Sequence, residues 1–159
     1  MMGRALLIVG AMATMGFIAS AVLGYTLAAP TDADMPLHVL VGLASCLLLL
    51  FSHCWIMFYL IGTGKAIKEA VNEHKLDPDL IEETKRYKNR SYPSLMLAMA
   101  LAMATFILGG GAATGVLPVW IHHVLFWAAL AAQVRTLWIE KGVLDQNEKL
   151  MADLDRRLA

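Results

Sequence analysis

The chain has 159 residues, 58% of them hydrophobic and only 16% charged, with acidic and basic side chains in balance. Soluble domains carry charge at nearer a quarter of their positions, so this composition excludes an ordinary soluble domain and predicts a small integral membrane protein. A net charge of zero supplies no basic footprint for nucleic acid.

The first apolar run, Ala5 to Ala28, is long enough for a helix across the ~30 Å hydrocarbon core. Arg4 before it and Thr26-Leu27-Ala28 behind it also fit a secretory signal with a small-residue cleavage site. A retained span is the better reading, because the run exceeds a usual signal core. The loop Ala29 to Met35 has no Lys or Arg, and Pro36 opens the second span where a missing N–H costs little.

That second span, Pro36 to Ile61, is apolar yet carries two histidines. With about 100° and 1.5 Å per residue, His38, Gly42, Ser45, Leu49, Ser52, His53, Ile56 and Thr63 fall on one side of the helix. This polar stripe must face protein, cofactor or water rather than lipid, since ionisable groups at membrane depth are expensive and mark function. Cys46 and Cys54 lie eight residues apart on the same segment, too far for a disulfide within one helix. Without a CxxC pair, thiol-redox and zinc-ribbon readings lose their support.

Gly62, Thr63 and Gly64 mark the exit from the second span, and residues 62–92 turn abruptly charged. They predict a helical hairpin outside the bilayer: the second helix continues to about Glu73, and Asp77 with Pro78 gives an N-cap and first-turn proline for the next. His74 belongs to its solvated surface. The third span, Pro93 to Ala113, is rich in Ala, Gly and Met; small residues there let helices or a flat ligand come close. After a second loop without Lys or Arg, the fourth span runs from Val119 to Trp138. The tail, 139–159, spaces apolar residues around charges as an amphipathic cytoplasmic helix extension.

The expected fold is therefore all-α, a single membrane-spanning up-down four-helix bundle over residues 1–159 with a cytoplasmic hairpin and a cytoplasmic tail. Arg4 and the Lys and Arg of the hairpin and the tail all lie on one side of it, so the positive-inside rule puts both termini in the cytoplasm and the chain in the inner membrane.

In that topology the second and fourth spans run the same way, which puts His38 and His122 at one depth near the outer interface. Two neutral imidazoles from different helices are the axial arrangement of a b-type haem. Of the adjacent histidines, His122 shares its face with Phe126, Ala129, Gln133, Thr136 and Glu140, whereas His123 shares an apolar face with Trp127, Leu130, Val134 and Leu137. The first face points inward, the second to lipid or a neighbouring subunit. Gly109, Gly110 and Gly111 lie at the same level and make room for a porphyrin edge or for tight helix packing.

His53 lies about 22 Å further along the helix. Met99, Met12 and Met15 are level with it, so a second haem or a copper site with His53 and Met99 is one reading; a histidine hydrogen-bonded to protein or to a quinone is the other. Tyr59, Tyr92, Arg135 and Trp138 gather near the cytoplasmic mouth, as a quinone head-group site or as the usual aromatic belt with a snorkelling arginine.

With its paired histidines on four spans, the chain resembles the four-helix integral-membrane b-type cytochrome subunits. That resemblance implies haem b, electron passage between quinol or quinone and a partner redox protein, and membership of an oligomer, as an oxidoreductase subunit. The rival is a non-redox membrane scaffold or assembly subunit whose histidines satisfy one another. A metal or ion transporter is a weaker third reading, because a chain of this size lacks the internal repeats and broken helices such sites use, and no hydrolase, phosphate-loop or zinc-protease motif is present.

Overall fold

A computed structural model of the chain describes residues 2–26 and 35–158. Residues 27–34, which hold most of the first loop and part of the cleavage-site reading, lie outside the described residues. The regular structure among the described residues is four α-helices: α1 Met2–Thr26, α2 Met35–His74, α3 Asp79–Ala113 and α4 Val119–Leu158.

Side-chain pairings fix how the helices lie. Ser52 donates to the Leu6 carbonyl and Ser20 meets His38, so α1 and α2 are antiparallel. Ser94 bonds Thr136 and His122 bonds the Thr105 carbonyl, which makes α3 and α4 a second antiparallel pair. Tyr92 donates to the Met57 carbonyl between α2 and α3, while Phe17 stacks on Phe126 between α1 and α4. The four helices thus close a ring of neighbours, with α2 and α4 across its diagonal.

Three apolar layers follow the long axis. One centres on Ala13, Phe17, Leu49, Ala102, Phe126 and Ala129. The next holds Leu6, Ile56, Leu60, Leu95, Val143 and Leu144. The last, of Ile67, Ala70, Val71, Leu80, Leu150 and Leu154, joins α2, α3 and α4 beyond the start of α1.

Three helices, α1, α2 and α3, are long and apolar enough to cross a membrane. Their outward residues include Ile8, Met12, Leu47, Phe51, Phe58, Met96 and Ile107, a pattern that water would penalise at roughly 25 cal/mol per Å² and lipid would not. The fourth helix is not among these three. His122, His123, Gln133 and Arg135 dilute its apolar stretch, although Val124, Trp127, Val134 and Trp138 are exposed on it.

The connection between α2 and α3 is tight. Lys75 takes a left-handed conformation (φ 53°), which lets the Leu76 amide reach back to the Val71 carbonyl at 3.1 Å, and Leu76 packs beside Val71. This is a Schellman-type helix end with its usual hydrophobic contact. The Asp77 carboxylate then accepts the Asp79 amide at 2.9 Å, as the N-cap reading requires. Pro93, read from sequence as the opening of the third span, lies inside α3, which passes through it without ending. The second turn uses Gly115 at φ 73°, where a side chain would be strained.

Candidate functional site

Near the loop-bearing end of the four helices lies a cavity of about 370 Å³, within the usual range for small-molecule sites. His38 and His122 line it, with Ser20 and Gly24 of α1, Gly42 of α2, and Thr105, Gly109 and Gly110 of α3. The stacked rings of Phe17 and Phe126, 5.4 Å apart and 18° from parallel, contribute to its wall.

The two histidines are held in the same way. His38 Nδ1 lies 2.8 Å from the Ser20 carbonyl and His122 Nδ1 lies 3.0 Å from the Thr105 carbonyl. A carbonyl accepts and never donates, so in each neutral ring Nδ1 carries the hydrogen and Nε2 keeps a lone pair. Among the described residues neither Nε2 has a hydrogen-bond partner. A backbone carbonyl on the other ring nitrogen is what orients a metal-ligating histidine and fixes its tautomer.

Each ring also rests against a glycine one turn beyond its carbonyl partner. A Cβ on Gly24 would stand 2.9 Å from His38 Cε1, and one on Gly109 would stand 2.9 Å from His122 Cε1. Both rings therefore sit where only glycine leaves space. The two halves repeat one device: a hydroxyl residue and a glycine four apart on one helix, and a histidine on the next.

From opposite corners of the ring of helices the imidazoles meet with centroids 6.5 Å apart and planes at 90°. Metal–imidazole bonds of about 2.0–2.1 Å put two nitrogens on one ion roughly 4 Å apart. With about 1 Å of ring radius at each side, a linear N–metal–N unit spans roughly 6–6.5 Å between centroids. The observed centroid separation is close to that span. Among the described residues no three His, Cys, Asp or Glu converge to hold a metal, so two imidazoles are what the chain offers here.

The neighbouring His123 is half-buried, lines the same cavity and stands against the Tyr25 ring, with centroids 5.0 Å apart. On α4, Phe126, Ala129, Gln133, Thr136 and Glu140 are all buried, whereas Trp127 and Val134 are exposed, which is the division the two histidine faces predict. The three glycines do different things: Gly109 receives His122, Gly110 has open space beside it, and Gly111 packs against Leu117.

His53 is fully buried and sits elsewhere. Its Nδ1 lies 2.6 Å from Glu140 Oε1 and its Nε2 lies 2.8 Å from Gln133 Oε1, and Gln133 in turn donates to Thr14. Of the two sequence readings, the histidine hydrogen-bonded to protein is the arrangement present. Both ring nitrogens are engaged, and the Met99 sulfur lies 3.9 Å from Cys54 Sγ. Met12 and Met15 point outward. Arg135 and Trp138 are exposed and Tyr92 is tied to the Met57 carbonyl, so the structure does not gather them around His53.

Sequence reasoning missed Ser20, Gly24 and Thr105, and it did not pair His53 with Glu140. The spacing Ser20-x3-Gly24 recurs as Thr105-x3-Gly109, each followed by a histidine thirteen or fourteen residues on, and that signal was available. No family model, curated protein or solved structure matches this chain.

Proposed function

We propose that the chain is a membrane b-haem electron-transfer subunit in which His38 and His122 are the axial ligands of a haem. It passes electrons between quinol or quinone and a partner redox protein. The observation that supports this reading is the ring pair: two imidazoles with centroids 6.5 Å apart, each with Nδ1 on a backbone carbonyl and Nε2 without a hydrogen-bond partner among the described residues. The chain offers two donors there, and a macrocycle brings the other four.

The remaining residues fit such a group. Gly24, Gly109 and Gly110 keep side chains away from the space around the rings, and Phe17 and Phe126 keep water from below. Haem supplies reversible one-electron chemistry at its iron when bound. What the chain does is fix both ring tautomers and keep the rings in an apolar setting that tunes potential, in a cavity that Tyr25 and His123 also line.

In this reading α4 is a fourth span, its exposed Val124, Trp127, Val134 and Trp138 facing lipid, and the molecule is an up-down bundle. Arg4 borders one surface pocket with Asp145, Glu148 and Lys149, so the N-terminus and the tail share an end. The positive-inside rule makes that end cytoplasmic.

A reduced-minus-oxidised absorption spectrum of the purified protein, with pigment extraction, tests the proposal. Sharp b-type bands and extractable protohaem are expected; a colourless protein after expression with ample haem would favour the scaffold reading instead.

A further inference from the structure

Away from the cavity the molecule buries a second ionisable unit that electron transfer at the ring pair does not use. We propose that His53 and Glu140 form a proton-binding site inside the membrane part of the molecule.

The argument begins at Thr14, whose hydroxyl donates to the Gly10 carbonyl at 2.8 Å. Its oxygen therefore accepts from Gln133 Nε2 at 3.1 Å, which turns Gln133 Oε1 toward His53 Nε2. An amide oxygen only accepts, so His53 Nε2 bears a hydrogen. The remaining contact, Nδ1 to Glu140 Oε1 at 2.6 Å, then needs one further proton. With it the pair is neutral overall, whether imidazolium with carboxylate or imidazole with carboxylic acid. Without it two lone pairs face each other and the unit carries a buried negative charge.

Among the described residues Glu140 Oε2 is buried without a partner, an oxygen free to carry the proton when the pair is imidazole and carboxylic acid. Structural need does not explain the pair, since well-packed apolar residues serve stability as well or better than a buried ion pair. No other charged side chain bonds to it. On α1 the titratable groups are Arg4 and Tyr25, at its two ends; on α2 Cys54 is exposed and Tyr59 lies in the next layer. On α3 Tyr92 is bound to the Met57 carbonyl, and on α4 Arg135 and Lys141 are exposed. Among the described residues, the proton on the pair is therefore the charge that balances it.

Apolar layers close the pair off on both sides. Toward the cavity stands the layer of Phe17, Leu49, Phe126 and Ala129. Toward the other end stands the layer of Leu6, Ile56, Leu60, Leu95, Val143 and Leu144, and beyond it Asn147 is buried between Thr63 and Tyr59. An internal water is the usual partner of a buried orphan such as Glu140 Oε2.

The test uses the full chain in lipid nanodiscs, labelled with nitrogen-15 at histidine and titrated from about pH 5 to pH 10. The His53 ring signals, identified by their loss in His53→Gln, should switch between a bare and a hydrogen-bearing Nδ1. In Glu140→Gln the amide donates to Nδ1, so the ring should stay neutral and unchanged at every pH. A wild-type ring that holds one state throughout, or an E140Q ring that titrates like wild type, overturns the proposal. Should E140Q not fold, infrared difference spectra of wild type with carbon-13 glutamate decide: a protonated-carboxyl band that comes and goes with pH is expected, and its absence overturns the site.

Discussion

At the scale of single residues, the site depends on two hydrogens that are missing from view: the Cα hydrogens of Gly24 and Gly109, where any larger group would meet an imidazole. Substituting Gly24→Ala or Gly109→Ala puts a methyl 2.9 Å from a ring carbon, and the neighbouring carbonyl contact at 2.8–3.0 Å leaves that ring little room to retreat. Overpacking of this kind costs typically about 1–3 kcal/mol. Each variant should remain folded by circular dichroism but retain less haem than wild type, whereas Gly62→Ala, which faces open space, should change nothing. The inward position of His122 was legible in the sequence because its face carries Phe126, Gln133 and Glu140. The partners of His53 were not, since Gln133 and Glu140 were read only as companions of His122, and joining them to His53 needs the diagonal approach of α2 to α4.

At the scale of elements, the α2–α3 connection shows which features the sequence determines locally. Asp77 and Pro78 are a short-range start signal, and the structure uses the Asp77 carboxylate as expected. Asp77→Ala should lower stability by about 1 kcal/mol, read as a downward shift of the thermal transition in detergent. Lys75, at φ 53°, is different: nothing in a lysine announces a left-handed position. Lys75→Gly removes the Cβ penalty and should raise stability by roughly 0.5–1 kcal/mol, and a fall would show that the Lys75 side chain has a role of its own. Pro93 illustrates the opposite limit. A proline inside a helix lacks one donor and crowds the preceding turn, yet α3 continues through it, because packing of Ser91, Ser94 and Leu95 in the core holds the helix together on both sides.

At the scale of the whole molecule, the all-α class and the apolar helices α1, α2 and α3 were readable from composition and hydropathy, while α4, read from the sequence as a fourth span, falls short of those three. Its inward face is polar because it meets His53, Thr14 and Ser94, and that polarity lowers the average by which a span is recognised. The polar residues that lower the hydropathy of α4 are the ones that bond to its neighbours. In the proposed orientation, single cysteines replacing Lys75 and Gly115 in a chain otherwise lacking Cys46 and Cys54 should react oppositely with a membrane-impermeant maleimide. Gly115→Cys should label in intact cells, and Lys75→Cys only after the membrane is opened. The reverse pattern would invert the molecule and detach the site from the outer interface.

The account rests on one iron held between His38 and His122, and the haem-to-protein ratio of four purified proteins tests that most directly. Wild type and His123→Ala should carry haem with sharp reduced bands, and His38→Ala and His122→Ala should each lose them. If both of the latter retain the wild-type ratio and spectrum, the rings that face each other across the diagonal are not the ligands.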